Sequence, residues 1–298
     1  MKQLLHLPGI LTVLNTPFTP ENTLDLRGLR SHIAYALEAG VAGFLIPAMA
    51  SEVGKLTDAE RDTLVEETVK AVGGRVPIIG GASSDSLDRT LQLARYCIDL
   101  GCEGVLASIP YSNYDTYAAT VHALADLDPG FLMIQDWSQD GYGVPVEVVV
   151  RLFEEVPAFR CLKVEVVPAG VKYSEVLQAT NGQLHVSGGW AVTQMIEALD
   201  RGVHAFMPTG LHRSYCEIVR RYHAGDREGA KALHAQLLPI LAFSNQHLDI
   251  SIQFFKRLLH AQGHYETPRV RHPILPFDPI HERIAAELIA RAVALETA

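Results

Sequence analysis

Hydrophobic positions along the chain fall into two alternating patterns. Short apolar runs of strand length occur at Ile10 to Leu14, Ala42 to Ile46, Val76 to Ile79, Gly104 to Ala107, Phe131 to Ile134, Cys161 to Val166, Leu184 to Val186 and His204 to Met207. Between and after them lie stretches with apolar residues three and four apart: Leu26 to Ala39, Ala59 to Val72, Leu87 to Leu100, Tyr117 to Leu127, Val146 to Phe153, Val171 to Ala179, Val192 to Leu199 and Tyr215 to His223. That spacing predicts amphipathic helices. Thr57-Asp-Ala-Glu60 reads as a capping box, and Gly40, Gly73, Gly101 and Gly202 stand where left-handed helix caps belong. Eight uninterrupted strand-helix units predict an α/β protein, a (β/α)₈ barrel over residues 1–224. Residues 225–298 show no strand and three helical stretches, Arg227 to Phe243, Leu248 to Gln262 and Pro279 to Leu295, and read as a helical extension packed on the barrel.

Composition narrows the function. With 298 residues, 48% hydrophobic and 20% charged, the chain can bury a large core. Its net charge of −9, without a basic stripe, speaks against nucleic acid as a partner. No apolar run reaches membrane-spanning length and the first eight residues are too polar for a secretory signal, so a cytoplasmic protein is expected. Cys97, Cys102, Cys161 and Cys216 have neither CxxC nor zinc spacing, and buried free thiols are expected. The 13 histidines lack HxH or HExxH spacing, so His185, His204 and His212 read as structural or exposed rather than as metal ligands, and no metal site is expected.

In such a barrel, chemistry belongs at the C-terminal ends of the strands. Of the seven lysines only Lys163 lies within a predicted strand, in the run Arg160 to Val167. A buried, unpartnered ammonium tends to shed its proton, and a neutral amine is a nucleophile. Glu165 points to the same side, roughly 6.6 Å further along the strand. Locally, a buried ion pair and a catalytic pair are both open readings. Small residues after strand two (Pro47 to Glu52) and after strand seven (Ser187 to Gly189) would let backbone amides approach an anion or a substrate.

Several stretches together resemble one family: GILTVLNTPF from Gly9, Ser51-Glu52 followed by LTDAER from Leu56, VPIIGG from Val76, Ile109-Pro-Tyr111, the lysine of strand six and the helical tail. The chain resembles the dihydrodipicolinate synthase and N-acetylneuraminate lyase superfamily of Schiff-base-forming barrels over nearly its whole length. The resemblance implies that a 2-keto acid condenses with Lys163 and that Ala50 and Ser51 hold its carboxylate. It also implies a role for Tyr111 at the pocket or at a neighbouring subunit, a homo-oligomer built as a tetramer of dimers, and no cofactor, because the imine is the electron sink.

Departures from the family pattern shape the expected reaction. The usual Gly-Thr-Thr-Gly-Glu loop is here Ala48-Met-Ala-Ser-Glu52, which leaves Ser51 as the side-chain donor. Ile134 or Gln135 stands where a proton-relaying tyrosine ends strand five, and Ser138 to Gly143 holds no arginine for a second carboxylate. Lys163-Val-Glu165, with Gln135-Asp136 on strand five, resembles instead the branch containing 2-keto-3-deoxyarabonate dehydratase. The expectation is a lyase that dehydrates a 2-keto-3-deoxy sugar acid, with Lys163 and Glu165 catalytic and with Ala50, Ser51, Tyr111, Gln135 and Gly188 binding substrate. A pyruvate-releasing aldolase and a non-catalytic keto-acid binder are the alternatives. Glu52 is expected to order its own loop by accepting backbone hydrogen bonds.

Overall fold

The computed structural model describes residues 4–138 and 141–297. Gln139 and Asp140, part of the stretch Ser138 to Gly143 noted above, lie outside the described residues. Strands β1 (Gly9–Val13), β2 (Gly43–Ile46), β3 (Ile78–Gly81), β4 (Gly104–Ser108), β5 (Phe131–Ser138), β6 (Phe159–Val166), β7 (His185–Gly188) and β8 (Ala205–Phe206) follow one another around a closed parallel barrel. Helices α1 (Leu26–Ala39), α2 (Asp58–Val72), α3 (Leu87–Asp99), α4 (Tyr114–Ala125), α5 (Val146–Glu155), α6 (Ala169–Ala179), α7 (Met195–Asp200) and α8 (His212–His223) alternate with them. Helices α9 (Arg227–Ser244), α10 (Leu248–Ala261) and α11 (Pro279–Thr297) complete the chain. The (β/α)₈ barrel with a C-terminal helical extension is therefore observed.

Local signals placed most helix ends. Thr57 accepts from the Glu60 amide and Glu60 from the Thr57 amide, closing the capping box of α2. Gly40 ends α1 at φ 89°, a conformation that costs glycine little. Helix α4 begins three residues before its apolar period does, because the Asn113 side chain accepts from the Thr116 amide and caps a polar first turn. Strand β5 runs four residues past Ile134. Its polar continuation, Gln135 and Asp136, stays in the ladder because each side chain finds a partner, Glu165 and Lys172 respectively. Ser187 and Gly188, expected after strand seven, form its last two residues.

The chain divides into two compact units, Met1–Leu11 with Pro77–Met207, and Thr12–Val76 with Pro208–Ala298. In the first, β5 and β6 pair from Leu132↔Phe159 to Ser138↔Val166, and β6 and β7 from Cys161↔His185 to Val164↔Gly188. Lys163 stands between Gln135 and Ser187 in this register. His185 is fully buried, with Nδ1 against the Cys161 thiol at 3.0 Å and Nε2 against the Leu7 carbonyl at 3.0 Å, a structural histidine as expected. Cys97, Cys102 and Cys161 are buried free thiols, and Cys216 is half-buried and free.

The second unit is tied together by its C-terminal helix. The carboxylate of Glu296, near the end of α11, accepts from the Arg213 amide (3.1 Å), the Ser214 amide (3.0 Å), the Ser214 hydroxyl and the Tyr35 hydroxyl. It caps the first turn of α8, which lacks a side-chain cap from its own preceding residue.

Beneath that cap runs a buried hydrogen-bond chain with one consistent direction. Tyr265 donates its proton to the Asn15 carbonyl (3.2 Å), so its oxygen accepts from His32 Nδ1–H (2.8 Å). Neutral His32 then accepts at Nε2 from His212 (2.9 Å), and His212 Nδ1 accepts from Thr12 (3.4 Å). Burial, reinforced by neighbouring histidines, lowers both pKa values, that of His32 well below its ordinary value and that of His212 to about 3. A depressed histidine pKa contributes stability that is complete above about pH 6.5 and is lost as pH falls towards the folded-state value. We expect unfolding free energy to drop by about 1.4 kcal/mol per pH unit for each such imidazole between pH 6 and pH 4. Denaturant titrations at pH 7, 6 and 5 check this, and an unchanged midpoint would contradict the chain of neutral imidazoles.

Candidate active site

Strand β6 begins Phe159-Arg160 and from Cys161 to Val166 is apolar except where it carries Lys163 and Glu165. Lys163 is 5% exposed, and its Nζ lies 3.3 Å from Glu165 Oε1. The other carboxylate oxygen accepts from the Gln135 side-chain amide on β5. Paired residues of parallel strands share a face, so Gln135, Lys163 and Ser187 line one side of the sheet, and Glu165 follows Lys163 on that side. The carboxylate passes over Gly189, where a Cβ would stand 1.9 Å from Oε1. Any other residue there would displace it.

The remaining predicted site residues have defined places. Gly188 is a ladder residue between Val164 and Phe206, and its carbonyl accepts from the Met207 amide at 3.1 Å. Ser187 directs its hydroxyl to Met207 Sδ at 3.6 Å. Tyr111 follows β4, partly exposed, with its ring edge-on to Tyr117 at 5.4 Å. Asp136 belongs to the opposite face from Gln135, accepts from the Val144 amide (2.9 Å) and pairs with Lys172 of α6.

Ala50 and Ser51 lie in the second unit, in a 3-10 turn, Met49–Ser51. The Ser51 hydroxyl accepts from the Ala48 amide (3.0 Å) and gives its own proton to the Leu14 carbonyl (2.6 Å). Asn15 and Thr16 side chains donate to the Ala50 and Ser51 carbonyls at 2.8 and 2.6 Å. The turn is thus pinned to the residues that follow β1. Thr209, the hydroxyl at the end of strand eight, is spent on the Val13 carbonyl at 3.0 Å.

Sequence reading missed two further buried lysines. Lys172 Nζ contacts Asp136 and donates to the carbonyls of Tyr142 (2.6 Å) and Val144 (2.5 Å). Lys256 of α10 is fully buried and pairs with Glu52 at 2.6 Å, while Glu52 also accepts from the Arg271 amide at 2.8 Å. Glu52 does accept a backbone hydrogen bond, though from a segment more than two hundred residues away. Burial lowers the pKa of both amines, to about 8 for Lys256, and the adjoining carboxylate opposes the shift in each case. A signal existed: Lys256 occupies the apolar stripe of its helix, between Ile252 and Leu259, and Lys172 stands four residues before Val176. Three contacts hold the Lys172 amine in place, whereas the contact described for Lys163 is Glu165 alone.

This geometry sets a lysine, a carboxylate and an amide together at one strand pair. The model of the Dihydrodipicolinate synthetase family matches residues 6–292. The chain belongs to the dihydrodipicolinate synthetase family. Among its relatives, the 4-hydroxy-tetrahydrodipicolinate synthase of Methanococcus maripaludis is 28% identical over 238 residues, covering 78% of this chain and 81% of that protein. The 4-hydroxy-tetrahydrodipicolinate synthase of Salinibacter ruber is 26% identical over 293 residues, 93% of each chain. The dihydrodipicolinate synthase structure from Thermotoga maritima superposes with a TM-score of 0.87 over 97% of this chain and 100% of that one. At 21% identity this likeness speaks for the fold alone. Membership of the dihydrodipicolinate synthetase family makes the chain an enzyme of the lyase class. Among the described residues, no helix is long and apolar enough to cross a membrane, and no three His, Cys, Asp or Glu side chains are grouped to hold a metal ion.

Proposed function

We propose that this enzyme dehydrates a 2-keto-3-deoxy sugar acid through a Schiff base on Lys163, with Glu165 moving the protons. The observation that carries the reading is the single carboxylate 3.3 Å from the lysine amine, held from its far side by Gln135. The amine attacks C2 of the keto acid and water leaves, giving the protonated imine. Glu165 Oε1 takes a proton from C3 to form the enamine and returns it to the C4 hydroxyl as the C4–O bond breaks. Hydrolysis of the unsaturated imine then frees Lys163. The proton-relaying tyrosine that the family usually carries at the end of strand five is absent from β5, which weakens the retro-aldol alternative. Residues 138–143 hold no arginine, which argues against the reaction that the relatives' names describe. By resemblance, the substrate carboxylate falls to Ala50 and Ser51. Because the Ser51 hydroxyl serves the Leu14 carbonyl and its amide the Ala48 carbonyl, the turn would offer the Ala50 amide. The same resemblance supports a homo-oligomer, a tetramer of dimers.

Borohydride reduction in the presence of a panel of 2-keto-3-deoxy acids tests the reading. The expected result is a reduced adduct on Lys163 and none in Lys163→Arg, whose guanidinium keeps the charge and stays protonated. An adduct mapped to Lys172 or Lys55 would overturn it, and pyruvate among the products would replace dehydration with cleavage.

A further inference from the structure

The chain has two tryptophans, and both flank Glu165 with much of the indole in the open: Trp137 is 49% exposed and Trp190 43%. Trp137 pairs with Glu165 in the β5–β6 ladder. It lies two residues beyond Gln135, so it projects from the same face of the sheet as Gln135, Lys163 and Glu165. Trp190 follows β7, on the other side of β6, and comes directly after Gly189, over which the Glu165 carboxylate passes. One exposed tryptophan would be ordinary surface. Here each strand beside β6 brings one to the same carboxylate.

Glu165, whose Oε1 lies 3.3 Å from Lys163 Nζ, also lines a cavity of about 300 Å³ together with Trp190, Val171 and Gln194. In the proposed reaction C2 is joined to the Lys163 nitrogen and Glu165 serves C3 and C4. The chain from C5 onward then has to pass Glu165, where the indoles are. The face of an indole is electron-rich, and it attracts the C–H hydrogens of a sugar chain, which the adjoining oxygens make positive. Because each ring is half-exposed, the hydroxyls on the far side of such a chain can stay in water and keep their hydrogen bonds. A keto acid that ends at C3, such as pyruvate, stops short of both rings.

The geometry points to Trp137 and Trp190 as specificity-determining residues, an aromatic wall that favours 2-keto acids whose hydroxylated chain continues beyond C4. The direction of the chain rests on the Schiff-base reading proposed above, so binding at the indoles and adduct formation at Lys163 are measured separately.

With no other tryptophan in the chain, indole emission reports this place alone. Titration with 2-keto-3-deoxygluconate, a six-carbon probe, should change the emission saturably, and pyruvate should change it little. Trp137→Leu and Trp190→Leu each keep one indole as reporter. In each, the half-saturating concentration of the six-carbon acid should rise by about five- to tenfold relative to that of pyruvate, both read from borohydride trapping on Lys163. Trapping of the six-carbon acid with emission unmoved, or a ratio unchanged in both variants, would overturn the aromatic wall and leave the Schiff base in place. A saturable emission change without an adduct would support the wall and overturn the Schiff base. Neither signal with the six-carbon acid would overturn both.

Discussion

Glu165→Gln is expected to form the imine on Lys163 and then stall, with turnover reduced about 10²- to 10⁴-fold, the usual range for a general acid and base. Glu165 Oε1 is 3.3 Å from the Lys163 amine and Gln135 holds the other oxygen; in the proposed reaction that one carboxylate would serve both C3 and the leaving hydroxyl. An amide of the same shape keeps the contact with Gln135 and cannot exchange protons. Attack of the Lys163 amine on the ketone does not depend on that carboxylate alone, so it should persist. The check is a pair of measurements on one variant, turnover and borohydride trapping. Trapping without turnover supports the acid-base role. Loss of trapping together with loss of fold would assign Glu165 to ion pairing alone, and intact release of pyruvate would remove dehydration from consideration.

Glu52→Gln should destabilise the protein by about 3–5 kcal/mol at neutral pH, the cost of leaving one member of a buried pair without its counter-charge. Lys256 Nζ lies 2.6 Å from Glu52 Oε1, and both side chains are fully buried. The same carboxylate receives the Arg271 amide and lies 3.5 Å from Lys55 Nζ, so its charge anchors the segment before α11 as well. The sign of the pH dependence follows from Lys256. Its folded pKa, about 8, is below the usual lysine value, so stability is gained as pH rises through that value and is lost as pH falls from about 10.5. Without Glu52 the folded-state value drops further, and this gain should begin nearer neutrality. Urea titrations of both proteins between pH 6 and 9 would show the deficit shrinking with pH. A deficit below about 1 kcal/mol at pH 7 would mean that the pair contributes no more than a surface ion pair.

Much of this molecule was legible before folding. Short apolar runs alternating with a 3.6-residue period are a local property, and local sterics and burial are enough to make them strand and helix. Repeated eight times without interruption, it leaves a parallel barrel as the arrangement that buries every strand. The capping box at Thr57 and the left-handed glycine at Gly40 are local too, and α1 ends and α2 begins where those residues require. Lys163 stood out for the same reason: a charge in an apolar strand is anomalous within eight residues of context.

What stayed hidden depends on residues far apart in sequence. Lys172 and Lys256 looked like ordinary helix lysines until Asp136 and Glu52 were found against them, 36 and 204 residues away. Gln135 and Asp136 appeared to end strand five, since periodicity counts a polar residue as a break. Their partners on β6 and α6 keep them in the sheet. Ser51 looked like a free donor, and the nearby Leu14 carbonyl takes its proton. Glu296 carries no sign in its own helix that it caps α8. The sequence by itself determined the order of elements, the barrel and the anomalous lysine, because these follow from short-range pattern and burial. Only the tertiary structure decided which carboxylate answers which amine and which hydroxyls are spent on the backbone. Hydrogen bonds and ion pairs act over about 3 Å, and the chain brings such distances about only after it has folded.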